Sequence, residues 1–119
     1  MSPTITTAQS ANGPDFPWGR IRWLCNQEID SNAEMTFGVV YINPDDANPL
    51  HYHPNCEEII FLLSGRCEHR LGDEWFTLET GSMLRIPRGV AHCARNAGWD
   101  PVTMVIAYSS PDRQTVFLE

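Results

Sequence analysis

The chain contains only four histidines, and two of them stand one residue apart in His51-Tyr52-His53. On an extended segment alternate residues share a face, so both imidazoles can enter one pocket from a rigid backbone. Glu58 follows five residues after His53, at the mouth of the apolar run Ile59–Leu63. Pro54 and Asn55 lie between and can reset the face that the carboxylate uses. A third imidazole, His92, comes just after the turn Pro87-Arg88-Gly89. Three neutral imidazoles and one carboxylate suit a single divalent transition metal, Fe, Mn, Ni, Co or Zn. They do not suit Ca or Mg, which prefer oxygen donors. Such a set leaves one or two positions open on an ion that prefers five or six ligands, and open positions are what metal-assisted catalysis needs.

Taken singly, each of these residues has a plainer reading. His-x-His pairs occur often without metal. Glu57-Glu58 alone reads as two solvated carboxylates at a strand start, and His92 alone as a hydrogen-bonded histidine of core or surface. His69, four residues beyond the Gly65 turn, is expected on an outward position. The weight lies in the combination, because three of the four histidines fall in a pattern that also fixes glycines and a proline. Glu57, Tyr52 and Arg85 are the candidate catalytic groups beside the ligands, with Tyr41 and Cys56 also near in sequence. Cys56 and Cys93 flank the ligands and are equally suited to packing against a wall as small hydrophobes.

Short strands must carry these residues. Runs rich in Val, Ile, Phe, Tyr, Trp and Thr cover Arg20–Glu28, Glu34–Ile42, Glu58–Leu63, Arg66–Leu71, Glu74–Leu78, Met83–Ile86, Ala91–Arg95, Val102–Tyr108 and Thr115–Leu118. Turn formers separate them, among them Ser64-Gly65, Gly72-Asp73, Thr80-Gly81 and Asn96-Ala97-Gly98. Short strands at this spacing indicate an antiparallel sandwich or barrel. No window combines a 3.6-residue apolar period with caps, so little helix is expected.

A chain of 119 residues has room for one domain, and an apolar fraction of 42% supplies a core. Residues 1–17 read as a flexible tail, or an arm laid across a partner, and 18–119 as a single barrel domain. The net charge of −7, with eight scattered basic residues, argues against a nucleic-acid partner or an acidic membrane surface. Met1 to Pro17 has neither the basic start nor the apolar stretch of a secretory signal, and the run Ile59–Leu63 is too short to cross a bilayer. The four cysteines show no CxxC spacing. Reduced thiols and a cytoplasmic location are therefore expected.

His51-Tyr52-His53, four residues, Glu58, six residues, Gly65 resembles the first motif of the cupin superfamily. Gly81, five residues, Pro87, one residue, Gly89, two residues, His92, three residues, Asn96 resembles its second motif. The resemblance covers about Tyr41 to Tyr108, with a gap between the motifs typical of compact bacterial members. One position departs: the first motif often opens on a glycine where this chain has Asp45, a residue that tolerates turn geometry. The resemblance implies an all-β, double-stranded β-helix (jelly roll) with the metal inside, held by His51, His53, Glu58 and His92. Asn96 would support the second motif without touching metal. Strict alternation from His53 favours Glu57 as the carboxylate; the family spacing favours Glu58, which is the residue taken here.

Three functional readings follow. The first is a metal-dependent enzyme acting on a small organic molecule, as a dioxygenase or as a redox-silent isomerase, cyclase or lyase. The second is a non-catalytic small-molecule-binding module, and the third a structural metal. Closed structural zinc sites favour Cys and His sets, so the three-His, one-Glu set favours an enzyme. The four tryptophans and five phenylalanines would line a cavity, fill the core or form an interface. A homodimer is expected, with Arg20–Glu28 as a plausible pairing edge.

Overall fold

The computed structural model describes residues 2–119, and among these there is no helix. The strands in chain order are β1 (Asp15–Phe16), β2 (Gly19–Cys25), β3 (Thr36–Ile42), β4 (His51–Tyr52), β5 (Glu58–Ser64) and β6 (Cys67–Leu71). They continue as β7 (Glu74–Leu78), β8 (Met83–Ile86), β9 (His92–Arg95), β10 (Val102–Tyr108) and β11 (Val116–Phe117). One sheet has the order β1-β2-β3-β10-β5-β8 and the other β11-β4-β9-β6-β7. This is the expected all-β jelly roll. β7, β8 and β10 coincide with the expected runs, the other expected runs keep their ends or shift them by at most three residues, and β1 and β4 lie outside the expected runs. The largest shift, at the end of β2, has a local cause: the Asn26 side-chain oxygen accepts the N–H groups of Glu28 and Ile29 and turns the chain there.

Strand alternation builds the interior. In β10, Val102, Met104, Ile106 and Tyr108 face inward and are buried, and in β5 Glu58, Ile60 and Leu62 do the same. They meet Cys67, Leu78 and Ala94 of the other sheet in one continuous core. The outer face of β5 is apolar too, with Ile59, Phe61 and Leu63 exposed beside Met83 of β8.

Turn chemistry sets the corners. Gly65 has φ +86°, and a Cβ there would lie 2.8 Å from the Pro101 carbonyl oxygen, so only glycine fits. Asp45, which stands where the first motif often has glycine, is the one non-glycine residue with positive φ among the described residues, at 66°. Its N–H donates to the Asn96 carbonyl at 2.8 Å. The substitution thus preserves the left-handed turn, as Asp can. Asn96 is fully buried and clips the corner: its amide donates to the Ile42 and Asp100 carbonyls, and its side-chain oxygen accepts from Gly98.

The segment expected to be a loose tail before residue 18 instead contributes to the barrel. β1 pairs with the start of β2, and the N–H groups of Ile21 and Trp23 donate to the Pro14 and Asn12 carbonyls. The edge of β2 expected to pair with a second copy is therefore covered by the chain's own residues 12–16. The physical reason is that an exposed strand edge takes the nearest extended segment available.

Candidate metal centre

His51 and His92 are direct cross-strand partners on β4 and β9, which brings their rings to a centroid separation of 4.2 Å. His53 follows β4 on the same face, with its ring 5.1 Å from His51 and 5.0 Å from His92. Its carbonyl accepts the Gly89 N–H at 3.0 Å, tying the turn before His92 to the His-x-His segment. One nitrogen from each of the three rings lies within 4.8 Å of the others. Glu58 arrives from the facing sheet as the first residue of β5. Its Oε1 is 3.2 Å from His53 Nε2 and 3.0 Å from His92 Nε2. All four side chains are buried, His51 the least, at 9% exposed.

Backbone carbonyls fix the chemistry of these rings. Nδ1 of His51 faces the Pro49 carbonyl at 2.6 Å, Nδ1 of His53 the Gln114 carbonyl at 2.9 Å and Nδ1 of His92 the Val90 carbonyl at 3.0 Å. A carbonyl only accepts, so each Nδ1 carries a proton and, in the neutral ring, Nε2 keeps the lone pair. Two of those lone pairs, on His53 and His92, then face a carboxylate oxygen at hydrogen-bond distance with no proton to share, and all three atoms lack a hydrogen-bond partner. Such an assembly of buried acceptors needs a cation among them, a metal ion or, without one, a proton on Nε2. The residues present therefore fit a divalent metal ion by their own geometry.

Electrostatics agree. Where a proton on Nε2 takes the place of the metal, burial alone would raise the Glu58 carboxyl, but hydrogen bonds from the His53 and His92 imidazoles outweigh it and hold it well below the usual range. Burial, reinforced by His92, pushes His51 down to about 4, so its imidazole is neutral with its lone pair free.

The other expected site residues go elsewhere. Glu57 precedes β5 on the outward face and pairs with Arg85 at 2.8 Å, both partly exposed. Tyr52, alternating with the two histidines, points away from them. None of these three, Glu57, Tyr52 and Arg85, is among the residues lining the cavity beside the histidines. Tyr41 lies under the Arg20 guanidinium, 4.3 Å from its ring centre. Cys56 and Cys93 are buried as small hydrophobes, and every cysteine is free.

That cavity, of about 380 Å³, has its walls built by Phe16, Trp18, Ile60, Met104, Ile106 and Phe117. Phe16 and Trp18 stack face to face, 4.7 Å apart. Trp75 and Trp99, by contrast, are exposed. Several polar residues of the cavity are not legible as site residues in the sequence, Tyr108 and His69 among them. Tyr108 stands edge-on to His53 at 4.9 Å, and its hydroxyl is raised well above its ordinary value by burial and then by the Glu58 charge. His69 is 1% exposed and inward, not outward. Alternation from Cys67 and Leu71, the inward residues on either side of it in β6, was the signal that would have placed it.

A family profile described as a cupin domain matches residues 38–108. Protein SchB of Streptomyces halstedii is 39% identical over 80 residues, covering 67% of this chain and 58% of that protein. A protein called polyketide synthase CurC, from Streptomyces cyaneus, is 35% identical over 109 residues, covering 92% of this chain and 71% of that one. Among solved structures, an oxalate decarboxylase of Bacillus subtilis described with Mn(II) centres superposes with a TM-score of 0.86 at 17% identity, over 93% of this chain and 31% of that one. The chain thus spans little over half of SchB and under a third of the decarboxylase, and with the last it shares the fold alone. By the profile, the relatives and the jelly roll together, the chain belongs to the cupin family.

Proposed function

We propose that this protein is a metal-dependent enzyme acting on a small, largely apolar, ring-bearing organic molecule, with His51, His53, Glu58 and His92 as the metal ligands. The observation that carries the reading is the convergence of three Nε2 lone pairs and a buried carboxylate at the wall of an apolar, aromatic-sided cavity. Three imidazoles with one carboxylate would leave one or two positions open on an ion that prefers five or six ligands. When bound, a redox-active ion in such a site supplies oxygen activation, and a redox-silent one polarises a carbonyl or enediol.

The chain's own residues then have separable tasks. The Pro49, Gln114 and Val90 carbonyls orient the three rings. Phe16 and Trp18 offer a flat apolar surface to a ring, and the apolar walls exclude water, which strengthens every polar contact inside. Tyr108 keeps its phenolic proton beside Glu58.

Oxidation of the dioxygenase type is the first reading. A redox-silent cyclisation or isomerisation is the second, favoured by the similarity to a protein named as a polyketide synthase. Elemental analysis of the purified protein, followed by oxygen-uptake measurements with that metal restored, separates the two. Iron or manganese with substrate-dependent uptake supports the first, and a redox-silent metal without uptake supports the second. The double variant His51→Ala, His53→Ala should lose the bound metal; unchanged metal content would overturn the ligand assignment.

A further inference from the structure

One buried polar group in this molecule has no part in holding a metal. His69 lies on β6, inward, at 1% exposure, and neither of its ring nitrogens has a hydrogen-bond partner in the protein. The other three histidines each have Nδ1 tied to a carbonyl. His69 does not belong to the cluster whose ligating atoms lie within 4.8 Å of one another. Its ring instead lies nearly parallel to that of His92, with an interplanar angle of 14° and centroids 6.1 Å apart, and it borders the cavity. Buried imidazole nitrogens in folded proteins are almost always satisfied, so a nitrogen left open on a cavity wall is available to whatever enters that cavity.

We propose that His69 is a specificity-determining residue, which hydrogen-bonds a ring hydroxyl, phenolic or enolic, of the molecule bound between the histidines and the Phe16–Trp18 pair. This rests on the reading of the cavity as a site for a ring-bearing molecule. A neutral imidazole offers one donor and one acceptor, and a hydroxyl offers the same pair in return. Phe16, Trp18, Ile60, Met104 and Ile106 form apolar walls on which a flat ring can bury its faces while its hydroxyl edge turns to the histidines, and Arg113, Thr115 and Glu119 also border the cavity. An engineered apolar cavity of about 150 Å³ already admits benzene, and the cavity here, at about 380 Å³, has space for a larger ring system. Sites built to hydrogen-bond a hydroxyl reject the analogue that lacks it, because their polar groups are then left unpaired.

The test compares 2-naphthol with naphthalene on the zinc-loaded protein, by quenching of tryptophan fluorescence and by calorimetry. The wild type should prefer 2-naphthol by about tenfold or more. His69→Phe should remove most of that preference while leaving naphthalene affinity and zinc content unchanged. His69→Gln, which retains a donor and an acceptor, should keep part of it, and His69→Leu, which retains neither, replaces the Phe variant if that one does not fold. Equal preference in the wild type and His69→Phe would overturn the role given to His69. Loss of zinc in His69→Phe would overturn it too, by making His69 a ligand. If neither compound binds the wild type, the reading of the cavity itself falls, and the role of His69 with it.

Discussion

At the scale of single residues, three imidazoles with fixed tautomers and a carboxylate are held where their mutual repulsion calls for a cation. Without metal, acid should act first on the buried histidines. His69 and His51 are each lowered from 6.5 to about 4, chiefly by burial. Between those values the unfolded chain binds protons that the folded chain refuses, so stability falls as pH drops through this window. An imidazole held at about 4 corresponds to a loss of up to about 3 kcal/mol once the pH is below both values. Glu58, held low in the folded state, keeps its stabilising contribution above its ordinary range and loses it in stronger acid, in the same direction. Urea midpoints of chelator-treated protein should therefore decline from about pH 7 to pH 4, and His69→Phe should flatten that decline. A slope unchanged by the substitution would assign the acid sensitivity elsewhere. The His-x-His pair and Glu58 were legible in sequence because ligand spacing is a local property. His69 was not, because only the phase of alternation within β6 decides its face, and the Gly65 turn and the pair Cys67 and Leu71 give opposite phases.

At the scale of elements, the turns do as much as the strands to bring β4, β5 and β9 together. Gly65 and Gly72 both have positive φ, but they differ in surroundings. A Cβ at Gly65 meets the Pro101 carbonyl at 2.8 Å, whereas at Gly72 it meets nothing within 4 Å. Gly72→Ala should cost about 1 kcal/mol from backbone conformation alone. Gly65→Ala should cost roughly 2–3 kcal/mol, since the clash with backbone adds to the strain. Chemical denaturation of the two variants checks the difference; equal costs would mean that the Gly65 corner yields more easily than its packing implies. The positions of β7, β8 and β10 were readable because glycine or proline punctuates each end or alternation is clean. β1 was not, because Asp15-Phe16 is only two residues long and owes its form to the edge of β2 that it covers. Nearness in sequence does not place a side chain in the cavity for a related reason: in a sheet the neighbours of a ligand along the chain point the other way, and Glu57 and Tyr52 do so.

At the scale of the whole molecule, the rigid and adaptable parts are spatially distinct. His51 and His92 sit on strands paired on both sides, with His53 directly after β4, while the aromatic walls of the cavity come largely from early and late in the described chain, Phe16 and Trp18 on one side and Phe117 on the other. Phe16→Ala should weaken binding of a flat ring such as 2-naphthol by about tenfold, with metal content and thermal midpoint little changed. A fall in metal content would show that the wall and the metal centre are mechanically linked. β1 and β11, which bear Phe16 and Phe117, are two residues each and lie at sheet edges. They therefore have few hydrogen bonds to hold them and little core to lose. Mutation can reshape such margins without disturbing the ion or the strands that grip it. Evolution, or an engineer, can accordingly retarget this barrel to a new molecule by rewriting a few residues at its rim while the reactive centre stays as it is.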